Sequence, residues 1–172
     1  SIMAELGLNS ADAAAAEGWM GHRNTVPEWR DLLEQGLIAD TIEVSGTWSQ
    51  IDAIYDDVVA VLKTVPDCVN ASAHSSHVYR SGINLYFTFA CMPADTSVMG
   101  DRYLESWDRA LTATAEAGGG IAHHHGSGRL RRDYLHYDLG ENGLMLLRKL
   151  KQAIDPQGIF NPGNLLPPAD AD

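Results

Sequence analysis

Ile83-Asn84-Leu85-Tyr86-Phe87-Thr88-Phe89-Ala90-Cys91-Met92 is the stretch on which the fold turns. Apolar Leu85, Phe87 and Phe89 alternate with Tyr86 and Thr88, the two-residue period of a strand with one buried face. The apolar side is expected to meet helices, which leaves Tyr86 on the opposite side. Upstream, Cys68 to Tyr79 reads as a partner strand with Arg80-Ser81-Gly82 as the turn between them, an antiparallel hairpin. Further upstream, Ile51, Ile54, Tyr55, Val58, Val59, Leu62 and Val65 recur at helical spacing and stop at Pro66. Asp40 to Trp48, with Ile42 and Val44 between polar neighbours, reads as the first strand. Downstream, Asp101 to Ala117 reads as a second long helix with Leu104, Trp107, Leu111 and Ala115 on one face. Gly118-Gly119-Gly120 stops it, and Ile121 to His124 reads as a short last strand. The order β-α-β-β-α-β predicts an α+β fold, a ferredoxin-like antiparallel sheet with two helices on one face and further helices flanking it.

The flanks are helical. Ala11 to Glu17 reads as a helix with Ser10 as its N-cap, Trp19 to Pro27 as irregular chain, and Glu28 to Gln35 as a short helix stopped by Gly36. Leu130 to Tyr134 begins a helical turn and Gly143 to Ile154 a further helix. In the Pro/Gly/Asn-rich tail, Asp155 to Pro168, the side chains of Ile159, Phe160, Leu165 and Leu166 are expected to enter the core. With 172 residues, 1–172 is expected to be a single domain. A hydrophobic share of 45% and a charged share of 20% exclude disorder. Twelve Lys+Arg against 23 Asp+Glu leave −11, which repels phosphate backbones and argues against nucleic acid as partner. Cys68 and Cys91 form no CxxC pair and read as two buried free thiols, as suits a reducing cytoplasm. There is no leader with the pattern of a secretion signal, and a chain beginning at Ser1 is expected to be a piece of a longer polypeptide.

The densest chemical signal is His123-His124-His125-Gly126-Ser127-Gly128-Arg129, followed by Arg131 and Arg132. Three readings stand for it. Imidazoles titrate near neutrality and serve as general acid or base. They also ligate metals, but adjacent residues rarely aim at one ion, and no i,i+4 pair or neighbouring acid completes a set, so no metal is expected. The third reading is a solvated loop at a strand end. His74 and His77, three apart on a strand, would face opposite sides and read as structural. Taken alone, Tyr86 reads as structural, and Arg23 in its irregular stretch as a surface salt bridge rather than a clamp for a carboxylate or phosphate.

Together these residues resemble a known family. Asp155-Pro156-Gln157-Gly158-Ile159-Phe160-Asn161-Pro162-Gly163-Asn164-Leu165-Leu166 is similar to the C-terminal signature of FAD-linked oxidases of the vanillyl-alcohol oxidase type. Within that superfamily, the His123–Gly128 loop, Ala39 to Trp48 and Leu85 to Phe89 resemble the alkyldihydroxyacetonephosphate synthase branch. The Gly-Asp-Gly-Asn type motif of the lactate and glycolate oxidase relatives is absent. The resemblance implies the cap, or substrate, domain of an FAD enzyme. It implies exchange of the acyl chain of acyl-dihydroxyacetone phosphate for a fatty alcohol, the ether-bond step of ether-lipid synthesis, with the substrate held on flavin N5. It makes His124 the proton-transfer residue, with His123 and His125 beside it and Tyr86 as a second proton donor or acceptor. Arg23 and Arg129 become contacts for the anionic substrate, and His123, Asn161 and Asn164 contacts for the cofactor.

No stretch matches the glycine-rich pyrophosphate segment of the family's FAD domain. That domain is therefore expected N-terminal to this region in the same polypeptide, with a small-molecule or lipid-like substrate as the other partner. A homodimer and a peripheral membrane contact stay open. Two alternatives remain: an FAD-dependent oxidoreductase of a hydroxy acid or alcohol, and a stand-alone ligand-binding or dimerisation module.

Overall fold

The computed structural model describes residues 2–7, 12–26 and 28–166, in two compact units, Ser1–Gln35 and Gly36–Asp172. The first unit holds α1 (Ile2–Glu5), α2 (Ala13–His22) and α3 (Trp29–Glu34). The Asp12 carboxylate caps α2 by accepting the Ala14 N–H at 3.1 Å; Ser10 and Pro27 lie outside the described residues. Where irregular chain was expected after Trp19, the helix runs on to His22 and closes with Arg23 N–H on the Trp19 carbonyl at 2.8 Å. Gly36 follows α3 at φ +72°, the left-handed position that favours glycine after a helix.

The second unit runs β1 (Ile38–Thr47), α4 (Ile51–Lys63), β2 (Cys68–His74), β3 (Gly82–Cys91), α5 (Met99–Glu116), α6 (Gly128–Arg131) and α7 (Leu135–Ile154). Short 3₁₀ turns precede α5 and α7, and α7 bends at Gly140. The sheet is antiparallel in the order β1-β3-β2. Ile42 lies opposite Phe87 and Val44 opposite Leu85, and with Phe89 they pack on Ile54, Val58, Leu62 and Leu111 to form the core. Burying each such side chain contributes about 1.5–3 kcal/mol. The alternation in β3 thus sets both faces as expected, and the architecture is the expected α+β one.

Three details of the sheet and its helices differ from the sequence reading. The fourth strand shrinks to one bridge, in which Gly120 and Ser45 exchange backbone hydrogen bonds at 2.8 and 3.0 Å on the outer edge of β1. Beyond it the Arg131 guanidinium takes the edge: Nη2 donates to the Glu43 carbonyl at 3.0 Å and Nε to the Ile121 carbonyl at 2.9 Å. A side chain thus replaces the ladder. Likewise β2 ends at His74 rather than Tyr79, because the Asn84 side-chain carbonyl accepts the N–H groups of Ser76 at 3.3 Å and His77 at 3.0 Å. On α5, Leu104 is 57% exposed. Its neighbour Tyr103, tied to Asp40 at 2.8 Å, faces the sheet instead, and consecutive helix positions are rotated by roughly 100°.

In the tail, Ile159, Phe160 and Leu165 are exposed and only Leu166 packs on the core. Polar bonds fix this segment: Asp155 accepts the N–H groups of Ile159 and Phe160, and Arg132 donates to the Gly163 carbonyl at 2.8 Å. Of the two thiols, Cys91 is fully buried as expected, while Cys68 is only half-buried. No helix among the described residues is long and apolar enough to cross a membrane.

Candidate functional site

The sheet face turned away from α4 and α5 carries the polar residues. One row crosses it: the register places His74 of β2, Tyr86 of β3 and Glu43 of β1 side by side. The His74 ring stacks on Tyr86, with centroids 5.0 Å apart and planes 6° from parallel. The chain after the Gly120 bridge then crosses this row. The His123 N–H donates to Glu43 Oε2 at 3.0 Å, and its Nδ1 lies 3.0 Å from Oε1. His124 Nδ1 lies 3.1 Å from the same Oε1, and its Nε2 lies 2.8 Å from the Tyr86 hydroxyl. The His125 ring stands edge-on to Tyr86 at 5.3 Å, and the His77 ring lies 4.6 Å from that of His124. His74, His77, His123, His124 and His125 thus gather around Tyr86 and Glu43.

Glu43 organises the cluster. It is fully buried, and Asn84 Nδ2 also donates to its Oε1 at 3.2 Å. Burial pushes its pKa up, but the Asn84 amide, the His123 N–H and the two imidazoles outweigh that and hold it below the ordinary carboxylate value. An ionised carboxylate only accepts, so the hydrogen bond to Oε1 takes its hydrogen from His123 Nδ1, which also lies 2.9 Å from His124 Nδ1. The bond between His124 Nε2 and the Tyr86 hydroxyl has its donor set by the His124 tautomer. The result is a hydrogen-bonded chain Tyr86–His124–His123–Glu43, with His124 Nδ1 also 3.1 Å from the carboxylate.

The sequence reading missed Glu43, and it separated His74 from His77. Both errors share a cause. Strand alternation already puts Glu43, between Ile42 and Val44, on the face opposite the core, which is the face of Tyr86; only the pairing register shows that the two are neighbours. His77 was assigned to a strand that Asn84 ends, so the chain turns and carries His77 back over the cluster. Glu43 is also the acid whose absence argued against a metal. Glu43, His123 and His124 offer three ligand atoms within 4.8 Å of one another.

The arginines divide. Arg131 is buried, with its guanidinium 4.8 Å from the Trp107 ring centre and bonded to three backbone carbonyls, including that of Gly126. Arg132 is held by Asp133 and the tail. Their charge is therefore engaged in structure, and Arg129 stays exposed. Among the described residues, no hydrogen bond or ring contact of the cluster involves Arg129, Asn161 or Asn164. Asn161 is at φ 46° in the tail turn. Arg23 belongs to the first unit, where it lies over Trp19 with 5.5 Å to the ring centre. A hollow of about 320 Å³ opens beside His123, lined by Thr47, Gln50, Tyr79, Ser81 and Gly82 among others.

The second unit is thus a three-stranded sheet with helices on one face and a titratable cluster on the other. Residues 1–165 match the family described as FAD linked oxidases, C-terminal domain, and the chain belongs to that family. FAD is therefore its cofactor. The FAD-linked oxidoreductase YgcU of Escherichia coli (strain K12) is 33% identical over 91% of this chain and 34% of its own length. The alkyldihydroxyacetonephosphate synthase of Trypanosoma brucei brucei is 33% identical over 87% of this chain and 25% of its own length. A solved structure of an alkyldihydroxyacetonephosphate synthase superposes with TM-score 0.50 at 23% identity, covering 81% of this chain and 22% of that one, a likeness of fold. The chain thus spans about a third or less of the length of these relatives.

Proposed function

We propose that this chain is the substrate domain of a longer FAD enzyme, whose flavin-binding domain lies elsewhere in the same polypeptide. Its reaction is the synthase type: acyl-dihydroxyacetone phosphate and a fatty alcohol give alkyl-dihydroxyacetone phosphate and a fatty acid. The observation that carries this reading is the Tyr86–His124–His123–Glu43 chain on the open sheet face. Removing a proton from a carbon next to a carbonyl needs a base held in one tautomer, and a carboxylate behind an imidazole supplies that. His124 Nε2 takes the proton, directly or through the Tyr86 hydroxyl. Glu43 is a positioning residue that stabilises the imidazolium formed. The hollow beside His123 suits a small polar head. The family resemblance assigns Arg23 and Arg129 to an anionic substrate.

The donor set fits the reactive end of a flavin. His123, His124 and Tyr86 present hydrogen-bonding groups on an open face, where a flat ring can lie. When bound, the flavin supplies an electron-accepting ring beside the substrate carbon. The pyrophosphate half would be held outside this domain, and Asn161 and Asn164 remain proposed contacts.

In the full polypeptide, His124→Ala is expected to abolish turnover while the visible flavin spectrum persists. Tyr86→Phe is expected to slow turnover about 10²-fold, within the usual range for one acid–base group. Dialysis against a chelator should leave both unchanged, because the Glu43 oxygens already serve hydrogen bonds. Near-normal turnover by His124→Ala would remove the assignment. A second reading, an oxidoreductase of an alcohol or hydroxy acid, is supported by the equal identity to YgcU. Persistent bleaching of the flavin by substrate, with turnover only when an electron acceptor is added, would select it.

A further inference from the structure

At the far end of β3 from the histidine cluster, the register places Cys91 directly opposite Cys68 of β2. The hydrogen bond beside the pair runs from Met92 N–H to the Asp67 carbonyl at 2.9 Å. This makes Cys68 and Cys91 a non-hydrogen-bonded pair, the kind whose Cα atoms stand about 4.5 Å apart with side chains close together on the same face. A disulfide needs Cα atoms about 4.4–6.8 Å apart and Cβ vectors that converge, and the usual spacing of such a pair falls within that range. The register shift between Cys68 and Asn70 gives the edge strand local freedom next to the pair. The two thiols also differ in a useful way. Cys91 is buried beside Ser106 of α5, and burial, the neighbouring Cys68 and Asp67 raise its pKa, so it stays a thiol. Cys68 is half-buried on the edge strand and is the one a small oxidant can reach.

We propose that Cys68 and Cys91 are a redox pair that closes into a cross-strand disulfide when the protein meets a peroxide. The Cys68 thiolate attacks one peroxide oxygen and breaks the O–O bond. It becomes a sulfenic acid, and the departing hydroxide takes up a proton to leave as water. The Cys91 sulfur then attacks the Cys68 sulfur, the S–O bond breaks, and the Cys91 proton leaves with the hydroxyl as a second water. Two thiols are oxidised and one peroxide is reduced. The bond would fasten the edge strand β2, which carries His74, to β3, which carries Tyr86.

The whole polypeptide would be titrated with hydrogen peroxide, alkylated, digested without reductant and mapped by mass. The expected product is a peptide joined through Cys68 and Cys91, two hydrogens lighter than its reduced parts, formed within one molecule and reversed by dithiothreitol. In Cys68→Ser, a mild change at a half-buried position, Cys91 should remain a free thiol under the same dose. The proposal is overturned if Cys68 proceeds to sulfinic acid while Cys91 is still free, if the only crosslinks join separate molecules, or if Cys91 is oxidised equally fast in Cys68→Ser.

Discussion

Glu43 shows what one side chain does at this site. Replacing it with glutamine keeps its shape and one acceptor oxygen but removes the charge that sits behind the His123 and His124 imidazoles. Glu43→Gln in the full enzyme is expected to lower kcat about 10²-fold with little change in KM, because the lost interaction acts on the protonated imidazole. A structural role alone would not produce that split. The same residue carries a pH signature. Its pKa is lower in the folded protein than in the unfolded chain, so its contribution to stability is fully present above the ordinary value of about 4.3. That contribution is lost as pH falls through the lowered value. Urea midpoints of the parent and Glu43→Gln should therefore stand apart at neutral pH and converge below about pH 4.3. A gap that stays constant into that acid range would mean that the buried carboxyl is not ionised. The histidines themselves were legible as a run in the sequence, and Tyr86 as the outward residue of a strand. Glu43 was legible only as a polar residue between Ile42 and Val44, because its importance comes from a register with β3.

At the scale of elements, periodicity carried the reading as far as periodicity acts. The faces of β3 follow from spacing, as does the buried stripe of α4, Ile54, Val58, Val59 and Leu62, although Tyr55 of the same pattern is exposed. The ends of β2 and of the expected fourth strand do not. They are set by Asn84 and Arg131, side chains that take backbone groups out of the ladder, in the second case across 88 positions of sequence. No local pattern signals this, and a run of arginines beside a histidine loop reads instead as charge for a ligand. Arg131 therefore makes a sharp test. Methionine would preserve much of its packing on Trp107 but leave the carbonyls of Glu43, Ile121 and Gly126 without their donor. At about 1–3 kcal/mol for each buried unsatisfied group, Arg131→Met should cost about 3 kcal/mol or more, read from urea unfolding. Lysine should recover little, since a point charge cannot serve three carbonyls and an aromatic face at once. Amide exchange of Ser45 and His123 should quicken in both variants. A change of less than about 0.5 kcal/mol, the scatter of ordinary surface substitutions, would mean that the edge is held by something else.

At the scale of the whole molecule, the question is where the flavin is anchored. In the proposed function the ring end meets the histidine cluster, but the pyrophosphate carries negative charge and needs backbone N–H groups, which glycine-rich turns and helix N-termini provide. Here the long helices are poorly suited to it. The first turns of α4, α5 and α7 already hold Asp52, Asp101 and Asp138, which place negative charge where a phosphate would bind. The glycine run Gly118 to Gly120 ends α5 and bridges to Ser45, so its N–H groups serve the fold. A net charge of −11 adds a long-range repulsion to each of these local ones. The 172-residue chain, produced alone, is therefore expected to fold around its own core yet remain colourless after incubation with FAD and gel filtration. The full polypeptide is expected to elute yellow without added cofactor. Circular dichroism of the short chain must first show the helix and strand content of the intact domain, since an unfolded chain would be colourless for a trivial reason. If the folded short chain retains stoichiometric FAD, the anchor lies within these residues, and the carboxylates at the helix starts do not exclude it.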